Sequence, residues 1–356
     1  MVNIDLNQLV RQNIKDLRAY HVEEIPDGIK LHANENPYPP DPELLKRFQE
    51  SLKDFASNRY PDPDCRDLKK AISKRIGVPQ DHLVIGNGSD ELIMLLMQVF
   101  CNPGDAIAFP DPSFSMYSII AQGLGLCPAP LPLNERWDFK AGDFLQAAKQ
   151  ADAKILFLSY PNNPTGNCFS ETEIRQVMEN YSGILVLDEA YQDFSGKTFL
   201  GDISTHNNLI VLRSLSKIGL AGLRVGYAVG APEVVRQMNK VRLPYNSNAV
   251  SQAFAELLLT NFSLVQQQID AILKERKRLL QALEKMERVT VFPSDSNFIL
   301  FRVAENGVSL FQKLMKDGVL IRDLSAHPRL RDCLRVTIGT PEENDAFLSQ
   351  LSKSIG

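Results

Sequence analysis

Several features that mark whole classes of protein are missing from this sequence. The five cysteines are odd in number, widely spaced and without a C-x-x-C pair, so they are interpreted as buried or incidental thiols. No set of metal ligands is predicted. The longest apolar run, Leu92 to Cys101, is interrupted by Gln98 and is too short to span a membrane.

Signals for export and for polyanion binding are also missing. The N-terminus, MVNIDLNQLVRQNIKDL, has polar residues every second or third position, whereas a secretory signal needs an uninterrupted apolar block. The net charge is only -4 and no basic run occurs, so neither nucleic acid nor a membrane surface is predicted as a partner. We therefore expect a cytoplasmic protein.

What is present is the composition of a globular enzyme. The chain has 356 residues, 44% of them hydrophobic and 23% charged, which is enough for two domains or one large one. Short apolar segments alternate with helical stretches in its middle, a pattern that predicts a mainly parallel sheet wrapped by helices. The predicted strands are Leu83 to Ile85, Ala106 to Phe109, Lys154 to Leu158, Ile184 to Leu187, Leu209 to Leu212 and Arg224 to Val229.

The two ends of the chain have a different pattern. An amphipathic helix is predicted over Ile4 to Leu17, followed by an extended arm, and one long helix over Val250 to Met286. Beyond Val289 strands and helices mix as in an α+β domain. We predict an N-terminal helix and arm (1–50) that pack with a small α+β domain (286–356), and a large domain over 51–285.

Lys217 is the first candidate for chemistry. It stands in a Ser-rich turn between two apolar runs, in VLRSLSKIGLAGLRVGY, where its side chain would be half-buried. A desolvated ammonium loses its proton easily and supplies the neutral amine that a Schiff base with an aldehyde cofactor requires. Ser214, Ser216 and Arg224 nearby suit a phosphate, which together suggests pyridoxal phosphate. A surface lysine in a polar turn is the alternative.

Two further segments have the features of a cofactor site. In ILVLDEAY, Asp188 follows an apolar run typical of a buried parallel strand, where a carboxylate can face a pyridinium nitrogen; a helix N-cap is the alternative. In GNGSDE, a Gly-rich turn precedes a helix with Ser89 as the predicted N-cap. We expect the amides of Ser89 and Asp90 to bind phosphate, although simple capping explains the same residues.

These segments, together with Tyr160 to Gly166 (YPNNPTG), occur in the order found in a known family. From about Leu17 to Thr340 the chain resembles the fold-type I pyridoxal phosphate aminotransferases. The resemblance implies a large α/β domain with a mainly parallel, seven-stranded sheet between helices, plus a smaller α+β domain. It also implies a ping-pong transaminase that forms a homodimer, with Lys217 as both cofactor tether and general acid/base.

The resemblance also implies roles for residues around the cofactor ring. Phe114 matches the aromatic residue that stacks on the pyridine, while Asn163 and Tyr191 match the groups that donate to its phenolic oxygen. Without the resemblance, Phe114 is interpreted as a core residue of a helix and Asn163 as a turn residue. Arg224, matched to the phosphate-binding arginine, lies one residue closer to Lys217 than in most relatives, which we interpret as a shortened loop.

Within the family, the chain is most similar to members that act on histidinol phosphate in histidine biosynthesis, with glutamate or 2-oxoglutarate as the second substrate. Arg322 and Arg335 match their anion-binding arginines and Tyr20 their phosphate-binding tyrosine, although each arginine could be a surface ion pair. Tyr60, in RYPD, matches a tyrosine that reaches the cofactor phosphate of the neighbouring subunit; a loop anchor is the alternative.

Three other functions stay open from the sequence. A threonine-phosphate decarboxylase and an aromatic aminotransferase share much of the motif set, because one fold hosts many reactions. A regulatory module that binds pyridoxal phosphate without turnover is a third possibility. The chain has no appended DNA-binding segment or basic patch, which counts against that module.

Overall fold

The computed structural model describes residues 5–17, 19, 27–53 and 55–355. Its strands are β1 (Ile29–Lys30), β2 (Leu83–Asn87), β3 (Ala106–Asp111), β4 (Cys127–Pro132), β5 (Ala153–Ser159), β6 (Ile184–Asp188), β7 (Leu209–Ser214), β8 (Val225–Gly230), β9 (Val289–Val291), β10 (Phe298–Val303), β11 (Val319–Leu320), β12 (Arg322–Asp323) and β13 (Cys333–Thr337).

The same residues form helices of very different length. They are α1 (Leu6–Leu9), α2 (Gln12–Lys15), α3 (Pro42–Ser51), α4 (Arg66–Ile76), α5 (Ser89–Phe100), α6 (Met116–Leu124), α7 (Ala141–Gln150), α8 (Glu171–Asn180), α9 (Gln192–Ser195), α10 (Pro232–Val241), α11 (Ala249–Thr260), α12 (Phe262–Glu284), α13 (Gly307–Lys316) and α14 (Pro341–Ile355). Short 3₁₀ turns lie at Gln80–His82, Leu200–Ser204, Ser216–Ile218, Ala221–Leu223 and Pro328–Leu330.

A seven-stranded sheet in the order β2-β8-β7-β6-β5-β3-β4 forms the centre of the molecule. Only β8 runs against its neighbours, so the sheet is mainly parallel, and the predicted α/β architecture is confirmed. Because β2, β3, β5, β6 and β7 all point the same way, their carboxyl ends lie along one edge. The start of β8 lies on that edge as well, since β8 is antiparallel. Ligands of open α/β sheets bind at such an edge.

Both faces of this sheet are buried, which explains the unbroken apolar runs in the sequence. Successive residues of β5 point to opposite faces: Ile155 and Phe157 join a cluster with α5, α6 and α10, while Leu156 and Leu158 join the larger core on the other side. The sheet is therefore covered by helices on both sides, and its polar groups are confined to the strand ends.

A second sheet is antiparallel, in the order β12-β13-β10-β9, and belongs to the C-terminal part of the chain. The N-terminal arm joins this part: β1 pairs with β11, and the Thr337 amide donates to the Leu31 carbonyl over 2.9 Å. Helix α12 packs against elements of both parts. The boundaries at residues 50 and 285 stay a prediction.

The structure differs from the prediction in several elements. Strand β4 was missed because its sequence, CPAPLP, is rich in proline, which a sheet tolerates at an edge, and β4 is an edge strand. The helix predicted over Ile4 to Leu17 is instead two short helices, α1 and α2, without a buried residue. The helix predicted over Val250 to Met286 is interrupted at Asn261, which separates α11 from α12.

Two further predictions concern the cysteines and membrane-spanning helices. All five cysteines are free: Cys65 and Cys333 are buried and Cys127 is exposed, which agrees with buried or incidental thiols. Among the described residues, no helix is long and apolar enough to cross a membrane.

Candidate active site

Lys217 lies at the carboxyl edge of the central sheet. Strand β7 ends at Ser214, and the 3₁₀ turn Ser216–Ile218 then carries Lys217 back toward the sheet edge. The Lys217 Nζ donates a hydrogen bond to the Ala33 carbonyl over 3.1 Å and lies 5.7 Å from the centre of the Tyr191 ring. The side chain is partly buried, as the sequence predicts.

The charge state of Lys217 follows from this position. Burial lowers the pKa of the Lys217 ammonium from 10.5 to about 8, and the positive charge of Arg335 acts in the same direction, whereas Glu35 and Asp90 oppose the shift. An appreciable fraction of the amine is therefore neutral near physiological pH, which a nucleophile or general base requires.

Asp188 is the last residue of β6 and is buried. Its Oδ2 accepts a hydrogen bond from the Tyr117 hydroxyl over 2.8 Å, and its Oδ1 accepts one from the Ala190 amide over 3.2 Å. Burial raises the pKa of the Asp188 carboxyl from 3.8 to about 6, against the lowering effect of the Tyr117 hydrogen bond. A buried carboxylate of this kind favours a cationic N–H partner.

Tyr191 and Asn163 meet in one buried cluster. The Tyr191 hydroxyl oxygen accepts hydrogen bonds from the Nδ2 atoms of Asn34, over 2.9 Å, and Asn163, over 3.3 Å. Because both lone pairs of that oxygen are used, its proton can be donated to another group. Asn34, which the sequence analysis missed, is in turn held by the Thr337 hydroxyl.

Helix α5 starts at the edge where β2 ends. The predicted N-cap is wrong by one residue: Gly88, with φ of 83°, is the N-cap, and Ser89 is the first helical residue without a side-chain capping bond. A left-handed φ suits glycine, which lets the turn pass directly into the helix. The first amides of α5, including those of Ser89 and Asp90, therefore remain available to an anion.

Arg224, directly before β8, places its guanidinium next to the glycine turn at the start of α5. Its Nη1 donates to the Ser216 Oγ over 3.3 Å, and its Nη2 lies 3.2 Å from an Oδ2 of Asp90. Arg224 adopts a left-handed backbone with φ of 54°, so it precedes β8 and is not part of the predicted strand. Ser214 accepts from the Ser216 amide over 3.2 Å and completes the set of hydroxyls.

The backbone around this site leaves no room for larger residues. A Cβ atom on Gly226 would lie 2.7 Å from the backbone of Gly88 and Ser89, and one on Gly88 would lie 2.5 Å from the Arg224 guanidinium. Hydroxyls, helix amides and a guanidinium around a glycine-lined turn form a donor set that fits a phosphate group.

Arg322 and Arg335 approach from the antiparallel sheet. They are cross-strand partners on β12 and β13, so their side chains leave the same face. Arg335 is buried and donates to the Asn163 Oδ1 over 2.6 Å and to the His32 carbonyl over 2.7 Å. It thereby links the antiparallel sheet to the loop after β5 and to the N-terminal arm. Two guanidinium groups on one face can bind phosphate or carboxylate.

The remaining candidates have separate positions. Phe114 is partly buried between β3 and α6, with its ring edge-on to Tyr117 at 5.5 Å, and is not inside a helix. Tyr60 is 80% exposed and stacks on Tyr245 at 4.4 Å; within the described residues no contact joins it to the site above. Tyr20 lies outside the described residues.

Three residues that contact the candidate site residues were not chosen from the sequence. Asn34 and Ala33 lie in LHANENP, whose polar residues before a proline signal only an irregular arm. Tyr117, in PSFSMY, has no local signal because its partner, Asp188, is distant in the chain. In the part of the chain that the structure describes, no group of three or more His, Cys, Asp or Glu residues is arranged to hold a metal ion.

Comparison with known proteins adds independent information. The family model for aminotransferase class I and II matches residues 26–351. The protein named histidinol-phosphate aminotransferase 2 from Nitrosococcus oceani is 42% identical over 347 residues, which cover 97% of this chain and 96% of that protein.

Two solved structures have the same fold. The histidinol-phosphate aminotransferase from Clostridium acetobutylicum superposes with a TM-score of 0.84 at 26% identity, covering 91% of this chain and 98% of that one. The enzyme of the same name from Sinorhizobium meliloti, in complex with pyridoxal-5'-phosphate, gives 0.86 at 22% identity, with 97% of each chain covered.

The low pKa of Lys217 predicts how the residue reacts. In pulsed labelling of the cofactor-free protein with acetic anhydride, the rate at Lys217 should reach half its maximum near pH 8, because only the neutral amine reacts and its fraction rises through the pKa of about 8. Mass spectrometry of the Lys217 peptide measures this rate, with the exposed Lys285 as internal reference. A midpoint near 10.5 for Lys217 would contradict the assignment.

Proposed function

The chain belongs to the class I and II aminotransferase family, and from that premise we propose that it transfers the amino group of L-histidinol phosphate to 2-oxoglutarate. The products are imidazole-acetol phosphate and L-glutamate, in a step of histidine biosynthesis. The observation that carries the proposal is the partly buried Lys217 amine at the sheet edge, with the Asp188 carboxylate and an anion site beside it.

The residues at this edge fit pyridoxal phosphate as cofactor. When bound, the cofactor supplies an aldehyde for amines and a pyridine ring that withdraws electrons from the reacting carbon. We assign Lys217 as the covalent tether, Asp188 as the partner of the ring nitrogen and Phe114 as the residue that stacks on the ring face. Asn163 and Tyr191 would donate to the phenolic oxygen. The phosphate would be bound by Ser89, Asp90, Ser214, Ser216 and Arg224.

Lys217 also carries the proton transfer. With the cofactor bound, the Lys217 Nζ would take the proton from the carbon that bears the substrate nitrogen and hold it for the return step. A pKa of about 8 suits proton transfer both from the substrate and back to it, because neither the neutral amine nor the ammonium is strongly favoured near neutral pH. The Ala33 carbonyl, 3.1 Å from Nζ, orients the amine when it is free.

Arg322 and Arg335 bind the anionic groups of both substrates. A phosphate ester in one substrate and a carboxylate in the other occupy the same pair of guanidinium groups in turn, so kinetics should be ping-pong. Asn163 links Arg335 to the Tyr191 cluster through the 2.6 Å and 3.3 Å hydrogen bonds, which couples substrate binding to the cofactor's oxygen. The role of Tyr20 in this site stays a prediction.

Tyr60 is the residue from which we propose a homodimer. An aromatic side chain that is 80% exposed and stacked on Tyr245 suits a contact with a second subunit. We assign the Tyr60 hydroxyl to the cofactor phosphate of the partner in a two-fold homodimer. We also propose that the protein is cytoplasmic.

A substrate panel tests the reaction. Purified protein should be yellow and convert histidinol phosphate with 2-oxoglutarate, and Lys217→Ala should lower this rate by about 10³-fold or more, because tether and general base are both lost. Release of carbon dioxide from L-threonine phosphate, or faster turnover of phenylalanine, would replace the substrate assignment. Cofactor binding without turnover of any substrate would favour a regulatory module.

The arginine pair predicts a specific loss. Arg322→Ala and Arg335→Ala should each lower kcat/KM for histidinol phosphate by about 100-fold, since one charge-assisted contact is worth up to ~3 kcal/mol. Steady-state assays with Arg331→Ala as control, whose side chain is 88% exposed, separate this effect from a general loss of positive charge. If both variants keep wild-type kcat/KM, the anion assignment is wrong.

Mixed dimers test the shared site. Lys217→Ala and Tyr60→Ala chains, each inactive alone, should recover about a quarter of wild-type activity after mixing and refolding, because half the dimers are hybrids with one complete site. Lys217→Ala mixed with Asn163→Ala is the control and should recover nothing, since both residues belong to one subunit's site. An active monomer in sedimentation, or no recovery with an inactive Tyr60→Ala, would exclude the shared site.

A further inference from the structure

Tyr117 contacts both Asp188 and Phe114 but has no role in the reaction described above. It is in the first turn of α6, its side chain is fully buried, and its hydroxyl donates to the Asp188 Oδ2 over 2.8 Å. Burial and the neighbouring Asp188 raise the pKa of the Tyr117 phenol well above its ordinary value, so the hydroxyl keeps its proton and acts as a donor.

The ring of Tyr117 is fixed by its aromatic neighbours. It stacks on Phe157 of β5 with ring centres 4.8 Å apart and an interplanar angle of 17°. It also contacts Phe114, edge-on at 5.5 Å and 87°, and Phe109, tilted at 6.0 Å and 51°. Offset stacking and edge-to-face packing are the favoured geometries of aromatic pairs, so the hydroxyl has a defined position relative to the sheet.

The hydroxyl in turn limits the orientation of Asp188. One carboxylate oxygen is held by Tyr117 and the other by the Ala190 amide at 3.2 Å, so rotation of the carboxylate breaks two hydrogen bonds. A carboxylate held from both sides keeps a constant direction toward any N–H group placed before it.

We propose that Tyr117 is a positioning residue for the cofactor ring, which orients Asp188 toward the ring nitrogen through its hydroxyl and supports Phe114 through its ring. This inference rests on the proposed function, because Asp188 and Phe114 are the two groups assigned to the nitrogen and the face of the pyridine. The Tyr117 side chain then aligns both groups, since its hydroxyl contacts Asp188 and its ring contacts Phe114.

The test compares two ligands that differ at a single ring atom. The apoenzyme and its Tyr117→Phe variant are titrated with pyridoxal phosphate and with 1-deazapyridoxal phosphate, in which carbon replaces the ring nitrogen, and Kd is measured by fluorescence. Tyr117→Phe keeps the ring packing and removes the hydroxyl. We expect a roughly tenfold weaker Kd for pyridoxal phosphate, the size of one lost hydrogen bond to a charged group, and an unchanged Kd for the analogue.

A matched control removes the hydroxyl of a partly buried tyrosine, Tyr181, which follows α8 and contacts β5 away from the candidate site. Tyr181 donates to the Ala153 carbonyl over 2.7 Å, and Tyr181→Phe should leave both Kd values unchanged. If Tyr117→Phe does not fold, the same two Kd values are compared for Tyr117→Met, which also lacks a donor, and the loss of affinity should be larger for pyridoxal phosphate than for the analogue.

The possible results distinguish failure of the Tyr117 inference from failure of the proposed function. Equal losses of affinity for the two ligands, or no loss for either, would show that Tyr117 is only a packing residue and would overturn the inference. Failure of the wild-type apoenzyme to bind pyridoxal phosphate would overturn the proposed function itself.

Discussion

Burial of the central sheet on both faces is the constraint on which the rest of this structure depends. Helices cover each side, so a polar group within a strand would lose its hydration without compensation. Polar side chains are therefore confined to the strand ends, and the mainly parallel topology gathers those ends along one edge. Ser214, Asp188 and the glycine turn before Ser89 come together for this reason, although they are separated by many residues in the chain.

Charged groups at that edge are stabilised by specific partners. Asp188 is held by Tyr117, and Arg335 is held by Asn163 and a main-chain carbonyl. Lys217 instead responds to burial and to the nearby guanidinium by a lowered pKa. The same low-polarity surroundings thus produce a carboxyl with a raised pKa and an amine with a lowered one, the pairing that general acid and base chemistry needs.

A second buried pair stabilises the strands that carry these groups. Glu189, next to Asp188, lies 2.7 Å from the Arg213 guanidinium, and Arg213 precedes Ser214. Thr198 and the Phe199 amide supply further hydrogen bonds to Glu189. Buried ion pairs are weak sources of stability but costly to break, so this pair favours one alignment of β6 against β7 and hence one arrangement of the site above them.

The sequence by itself determined the α/β class, the buried strands and most of the residues at the sheet edge, because apolar runs and glycine turns are local signals. Lys217 and Asp188 could be chosen in this way, with the resemblance to a family adding Asn163 and Arg335. Only the tertiary structure decided that β4 completes the sheet and that Gly88, not Ser89, caps α5. It alone paired Tyr117 with Asp188 and Arg322 with Arg335, since a hydrogen bond or strand register between distant residues leaves no mark on either local segment.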